Sequence, residues 1–250
     1  MKSFFISLKR LIFLNIIFFP FTLNAQLNVD ISYTAFDLVQ NILIGQGVTV
    51  TNVQFTGDNA QKAYFYGTTN IGFTDGILLT TGGATVAIGP NTTGSANVAV
   101  NTAGDADLEN IINYATNDAS VLEFDFIPQA DTISFNYVFA SEEYPEYVCS
   151  QYNDVFAFLL TGPNPNGGMY NKKNIALIPN TNLPVTINNV NNLSYSQYYV
   201  NNNNGQTIQF DGFTTPLQAI AYVVPFQIYH IKLVIAVARD HVYDRGVFLT

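Results

Sequence analysis

One cysteine, two histidines and no tryptophan stand among the 250 residues of this chain. With Cys149 alone, an intrachain disulfide is excluded, so an exported fold must rest on its core, on a bound metal, or on both. The thiol itself is expected to be buried and inert. His230 lies within the strand-like IYHIKL and His241 follows Asp240 in a turn. No nucleophile-elbow pattern accompanies them, so neither is read as part of a catalytic triad, and packing is the expected role of both. Missing tryptophan removes the usual large stacking platform for sugars and leaves 15 tyrosines to substitute. Basic side chains are also scarce, 9 against 18 acidic ones for a formal charge of −9, which repels nucleic acid phosphates and anionic lipid. The glycine-rich turns TTGG (Thr80–Gly83) and GPNPNGG (Gly162–Gly168) lack the lysine and following helix of a phosphate loop, which sets nucleotide binding aside. No internal repeat is visible.

What is present begins with an export signal. Lys2, Lys9 and Arg10 precede the apolar run Leu11–Leu23, and Ala25 closes it, the pattern of a cleavable signal peptide over residues 1–25. The run is shorter than a bilayer span and carries Pro20, so no transmembrane segment is expected once the signal is removed. Cleavage after Ala25 would leave six basic and eighteen acidic side chains, a formal charge of −12 that suits solubility outside the cell or a meeting with cations. Residues 26–250 are long enough for one all-β domain.

Helical periodicity is confined to two short stretches. In TAFDLVQNILIG, Phe36, Val39, Ile42 and Leu43 share a face that Gly45 ends; in GDADLENIINYAT, Asp105 or Asp107 caps a stripe of Leu108, Ile111, Ile112 and Ala115. Elsewhere VTVTNVQF, GILLTTGG, SVLEFDFIP, DTISFNYVFA, DVFAFLLTGP, TIQFDGF and IYHIKLVIAVA either alternate or run continuously apolar between turn residues. Leu122, Phe124 and Phe126 oppose Glu123 and Asp125, so that strand is expected to be wet on one side, whereas IKLVIAVA should lie deeper. The Asn-rich stretch 188–204 is expected to be a long surface hairpin or loop insertion. The spacing predicts an all-β, antiparallel, jelly-roll-like β-sandwich with one or two short covering helices. The terminal GVFLT is strand-like and stops without a turn signal, so it is expected to be an edge strand that once continued, in a truncated copy.

The densest polar cluster, Ser141-Glu142-Glu143-Tyr144-Pro145-Glu146-Tyr147 followed by Asn153-Asp154, joins two strand-like runs. A hard cation takes six to eight oxygens, and Glu142, Glu143, Asn153 and Asp154, joined by Asp240 and Asp244 near the C-terminus, are the candidate ligands for a structural calcium. The competing reading is a solvated acidic loop, since no EF-hand spacing is matched. A carboxylate-based, glycosidase-like hydrolase is the enzymatic alternative. Glu142 and Glu143 make a poor pair for it, because neighbours on a strand point to opposite faces and a remote acid would be needed.

GILLTTGGATVAIGPN, GDADL, the long block VLEFDFIPQADTISFNYVFASEEYPEYVCSQYNDVFAFLLTGP and YHIKLVIAVARDHVYDRGVFL together resemble the choice-of-anchor L family from about Val48 to the end. The resemblance implies a secreted or surface-displayed β-sandwich, normally followed by further modules and a sorting signal. Glu142, Glu143, Asn153, Asp154, Asp211 and Asp244 fall on family motif positions, which is compatible with cation binding. Two departures stand out. Where the family usually reads IADAGD-like and YDSAVFLE-like strings, this chain has IAVARD and YDRGVFLT, so Arg239 and Arg245 lie beside Asp240 and Asp244 and are expected to neutralise a metal site by pairing with its acids. Phe226 stands where the family commonly has a cysteine. The expected function is therefore an extracellular module for adhesion or ligand binding, its partner a glycan or a protein, possessing calcium as a stabilising ion and no nucleic acid ligand. A nonfunctional fragment of a larger surface protein is the remaining alternative.

Overall fold

The computed structural model describes residues 26–44, 48–239 and 241–250. The expected signal peptide, Gly45 and Asp240 lie outside them. Thirteen strands occur among the described residues: β1 (Leu27–Asp30), β2 (Thr49–Thr56), β3 (Lys62–Gly67), β4 (Asp75–Thr80), β5 (Thr116–Ile127), β6 (Thr132–Ser141), β7 (Val155–Pro163), β8 (Met169–Asn174), β9 (Tyr199–Asn201), β10 (Gly212–Thr214), β11 (Leu217–Tyr222), β12 (Tyr229–Ala238) and β13 (Arg245–Leu249). All named pairings are antiparallel, and the strands divide into two sheets. One runs β1-β3-β4-β13-β6-β10-β9, with β11 also paired to β6; the other runs β2-β5-β12-β7-β8. The result is the sandwich that the spacing predicts.

The central strands are buried on both faces, which explains their weak alternation. Phe135, Tyr137 and Phe139 of β6 point between the sheets, where they meet Phe124, Phe156, Phe158, Ile231 and Leu233. Val138 and Ala140 of the same strand point outward into a second core with Phe65, Leu78, Phe210 and Phe248. Behind the other sheet, Val121, Ala157, Val234 and Ala236 pack beneath the helix Ala106–Ile112. Asp105 is its N-cap, accepting from the Asp107 and Leu108 amides, and Leu108 and Ile112 are its buried residues. Both sheets are thus covered on the outside, and β12, paired to β5 and β7, lies deep as expected. Leu122, Phe124 and Phe126 face inward while Glu123 and Asp125 meet His230 on the wet face.

Several expectations fail for identifiable reasons. β13 is no edge strand: it sits between β4 and β6 with hydrogen-bonded neighbours on both sides. The first helical stretch forms a single turn at Ala35–Asp37 and then widens into a π-turn over Leu38–Leu43. That winding buries Leu38 and Val39 and leaves Phe36 52 % exposed, off the expected stripe. Nor is the Asn-rich stretch a surface excursion. Val190, Asn191 and Asn202 are buried, and β9 within it pairs with β10. Asn202 Nδ2 donates to the carbonyls of Ile208 and Phe210, and Asn191 Nδ2 to those of Ile187 and Asn188, so these amides close turns that no strand ladder serves. Cys149, expected to be buried, is exposed.

Candidate functional site

At one end of the sandwich β6 stops where β13 starts, and the register pairs Ser141 with Arg245. This puts the SEE turn against the start of β13. Ser141 Oγ accepts the Glu143 amide (3.0 Å) and donates to Asp154 Oδ2 (3.2 Å), so the serine ties the turn to the residue just before β7. Arg245 is fully buried, and its Nη2 contacts Glu143 Oε1 at 2.7 Å and Asp154 Oδ1. Its Nη1 donates to the Tyr243 carbonyl at 2.5 Å. One guanidinium serves two buried carboxyl groups. Burial, then the Asp154 carboxylate, lifts Glu143 to about 9, so this triad is held near neutrality with Glu143 protonated. Glu143 Oε2 and Arg245 Nε are buried without a hydrogen-bond partner.

A second pair of acids, Glu142 and Asp244, points to the other side of the same turn. Glu142 Oε2 accepts the Ala96 amide (3.2 Å), Oε1 accepts Gln209 Nε2 (3.2 Å), and Asp244 Oδ2 accepts the Val98 amide (2.6 Å). The segment 91–98 is therefore strapped down through its own backbone N–H groups. Gly82 explains the TTGG turn: a side chain there would overlap the Asp244 carboxyl, and Gly83 N–H donates to the Val98 carbonyl. Burial lifts Glu142 to about 8, with Asp211 and Asp244 adding to the rise against the lowering by the Ala96 amide. Burial likewise lifts Asp244 to about 6, against the opposing Val98 amide.

The strap forms one wall of a cleft of about 350 Å³ lined by Asn91–Gly94, Tyr144–Glu146, Asn203, Asn204 and Asp211. Asp211 Oδ1 accepts Asn91 Nδ2 at 2.7 Å, and burial followed by the nearby Glu146 charge raises its pKa. Gln209 holds the wall in shape, accepting the Thr92 amide and donating to the Thr93 carbonyl and Glu142. Asn91 N–H donates to the Gly205 carbonyl, which fixes the strap against the Asn203–Asn204 turn. The back of the cleft carries Tyr144, whose phenol donates to the Val190 carbonyl (2.6 Å) and whose ring lies 5.0 Å from that of Tyr199. Its chemistry is amides, hydroxyls and carboxylates on a rigid frame.

A family model described as the choice-of-anchor L domain matches residues 27–250. The chain belongs to this family. The match confirms the resemblance carried by the SEEYPEYVCS and NDVF segments, and the name choice-of-anchor points to exported proteins held at the cell surface. No curated protein matches the chain. Among the described residues, no helix is long and apolar enough to cross a membrane.

In this choice-of-anchor L domain the six residues predicted as metal ligands are divided. Glu143 and Asp154 converge, but on Arg245; Glu142 and Asp244 hold the strap. Asn153 Oδ1 accepts the Asn188 amide, and Asp240 lies outside the described residues. Among the described residues, no group of three or more His, Cys, Asp or Glu side chains is placed to hold a metal ion. A guanidinium between Glu143 and Asp154 also opposes a second cation there. Arg245 pairs with two acids of the predicted metal site, as expected, while Arg239 lies 4.0 Å over the Tyr114 ring and donates to Gln151. Gln209 and Asn91 escaped the sequence reading. They act from more than 100 residues away from their partners Thr92 and Asp211, and no spacing signals such a contact.

Proposed function

We propose that this domain is a surface-displayed recognition module whose cleft binds a hydroxyl-rich ligand, a glycan being the class that fits best. The observation that carries the reading is the lining: Asn91, Thr92, Thr93, Asn203, Asn204, Glu146 and Asp211 offer paired donors and acceptors around a tyrosine, with Pro145 as the apolar member. Neutral amides and carboxylates facing one another suit the vicinal hydroxyls of a sugar. The frame supports this use, since the strap, Gln209 and Asn91 are fixed by interior hydrogen bonds before any ligand arrives, which lowers the ordering cost of binding. Adhesion would follow from display of the module on the cell.

The test is a glycan array probed with the purified protein and with the Asp211→Asn and Asn204→Ala variants. A coherent set of glycans bound by the parent and lost in both variants, with unfolding midpoints unchanged, supports the reading. A silent array, or hits indifferent to both substitutions, refutes it.

A further inference from the structure

A different feature lies at the start of β3. Lys62 opens β3, and the residue is only 5 % exposed. Other interior or half-interior cations among the described residues have carboxyl partners: Arg245 has Glu143 and Asp154, and Lys232 has Asp105 and Asp107. Lys62 has no ion pair among the described residues. Its Nζ donates to the Tyr33 carbonyl at 2.9 Å and lies 5.5 Å from the centre of the Phe55 ring. Burial, with no opposing charge, lowers its pKa. An ammonium has three donors, and a single carbonyl answers one of them.

The side chain borders a pocket of about 530 Å³ lined by Ile31, Ser32, Tyr33, Thr34, Ala35, Phe55, Gly57, Asn59 and Lys62. Acidic residues do flank this pocket along the chain, but each is engaged in its own turn. Asp30 Oδ1 accepts the Ser32 amide, Asp37 Oδ2 accepts Thr34 Oγ1, and Asp58 Oδ1 accepts the Ala60 amide. The lysine thus places a positive charge in a recess of an otherwise acidic protein, and leaves it without a counter-charge. Around it stand polar side chains at Ser32 and Asn59 and aromatic side chains at Tyr33 and Phe55.

We propose that this recess is a binding site for a carboxylate-bearing sugar, a uronate, whose carboxylate pairs with Lys62 Nζ. The hydroxyls of such a ligand meet Ser32 and Asn59, and its apolar ring atoms meet Phe55. The carboxylate supplies what the folded chain does not, a charge-assisted partner for the remaining ammonium protons. The site is separate from the cleft beside Asp211 and does not depend on the reading given to it.

The experiment follows the amine itself. Formaldehyde condenses with a free lysine amine with loss of water, and cyanoborohydride delivers hydride to the resulting iminium, so labelling is read at each lysine by peptide mass spectrometry. Sodium glucuronate is the probe, with glucose and sodium acetate as controls. At twice its Kd, glucuronate is expected to slow Lys62 labelling about threefold while Lys172 and Lys173 label unchanged. Glucose and acetate at equal concentration are expected to leave Lys62 unaffected. Equal protection by either control, protection spread over all three lysines, or no protection at any concentration up to saturation of the solution overturns the site. The Lys62→Met variant, which keeps the length of the stem, is expected to lose calorimetric binding of glucuronate. Should that variant fail to fold, the labelling result on the unaltered chain decides alone.

Discussion

Replacing Arg245 by methionine removes the one positive charge shared by two buried carboxyl groups, while keeping most of the apolar stem that packs between β4 and β6. Glu143 is held protonated by its surroundings, so the variant leaves one carboxylate uncompensated in the interior. Breaking a buried ion pair from one side costs about 3–5 kcal/mol, because desolvation of the surviving charge is no longer offset. For a domain of this size that corresponds to a fall in Tm of roughly 6–20 °C. Thermal unfolding followed by circular dichroism at pH 7 measures it. Adding Asp154→Asn to the methionine variant should recover most of the loss, since the stranded charge is then gone and Ser141 Oγ still finds an acceptor. A fall of under about 2 °C in the single variant would mean that water reaches the triad, and the reasoning from a dry, shared guanidinium would be wrong. Failure of the double variant to recover would assign the loss to packing.

Protonation provides a second handle. Glu142 and Asp244 are raised to about 8 and about 6, so the folded state holds their protons more tightly than the unfolded state does. Their contribution to stability is complete below the unfolded pKa values and declines as pH rises through the folded ones. Glu142→Gln should flatten the decline and stabilise the protein at pH 7 by at most roughly 3 kcal/mol, read from urea midpoints between pH 4.5 and 8; an unchanged slope refutes the assignment. Asn202→Ala strands the Ile208 and Phe210 carbonyls and should cost roughly 2–4 kcal/mol, against under about 0.5 for the exposed Asn203→Ala, in denaturant titrations of both. With Arg245 between Glu143 and Asp154, moving from EDTA to about 10 mM calcium should shift Tm by less than about 2 °C; a calcium-selective rise of 5 °C or more would show that a cation does bind the domain.

Much of the fold was legible because burial writes a local period. The inward stripe of β5 and the continuous apolar run of β12 were readable as strands of different depth, and Asp105 as one of two candidate caps, the one the structure uses. The short strands β1, β3, β8 and β11 carried weaker signals. β3 reads KAYFYG, with Lys62 in a place where an apolar residue is usual, and LQAIAY alternates over only six residues. The Asn-rich stretch misled because amides that close turns in the interior look, by composition, the same as amides that face water. The candidate site was legible as a set of unusual residues and not as an arrangement. Glu142 and Glu143 do part, one to the strap and the other to Arg245, but in the turn that follows β6 and not by the alternation of a strand.

The sequence by itself determined the class of fold, the depth of its central strands and the family, since each is encoded in residues near one another along the chain. Which acid meets which cation was decided only by tertiary structure. The β6–β13 register sets Arg245 opposite Ser141, 104 positions earlier, and a slip of one residue would turn the guanidinium to the other face. Position 245 could therefore be recognised as unusual from its neighbours. Its partners were fixed by the pairing of strands far apart in the chain, because a buried charge takes whatever opposite charge the folded backbone brings within reach.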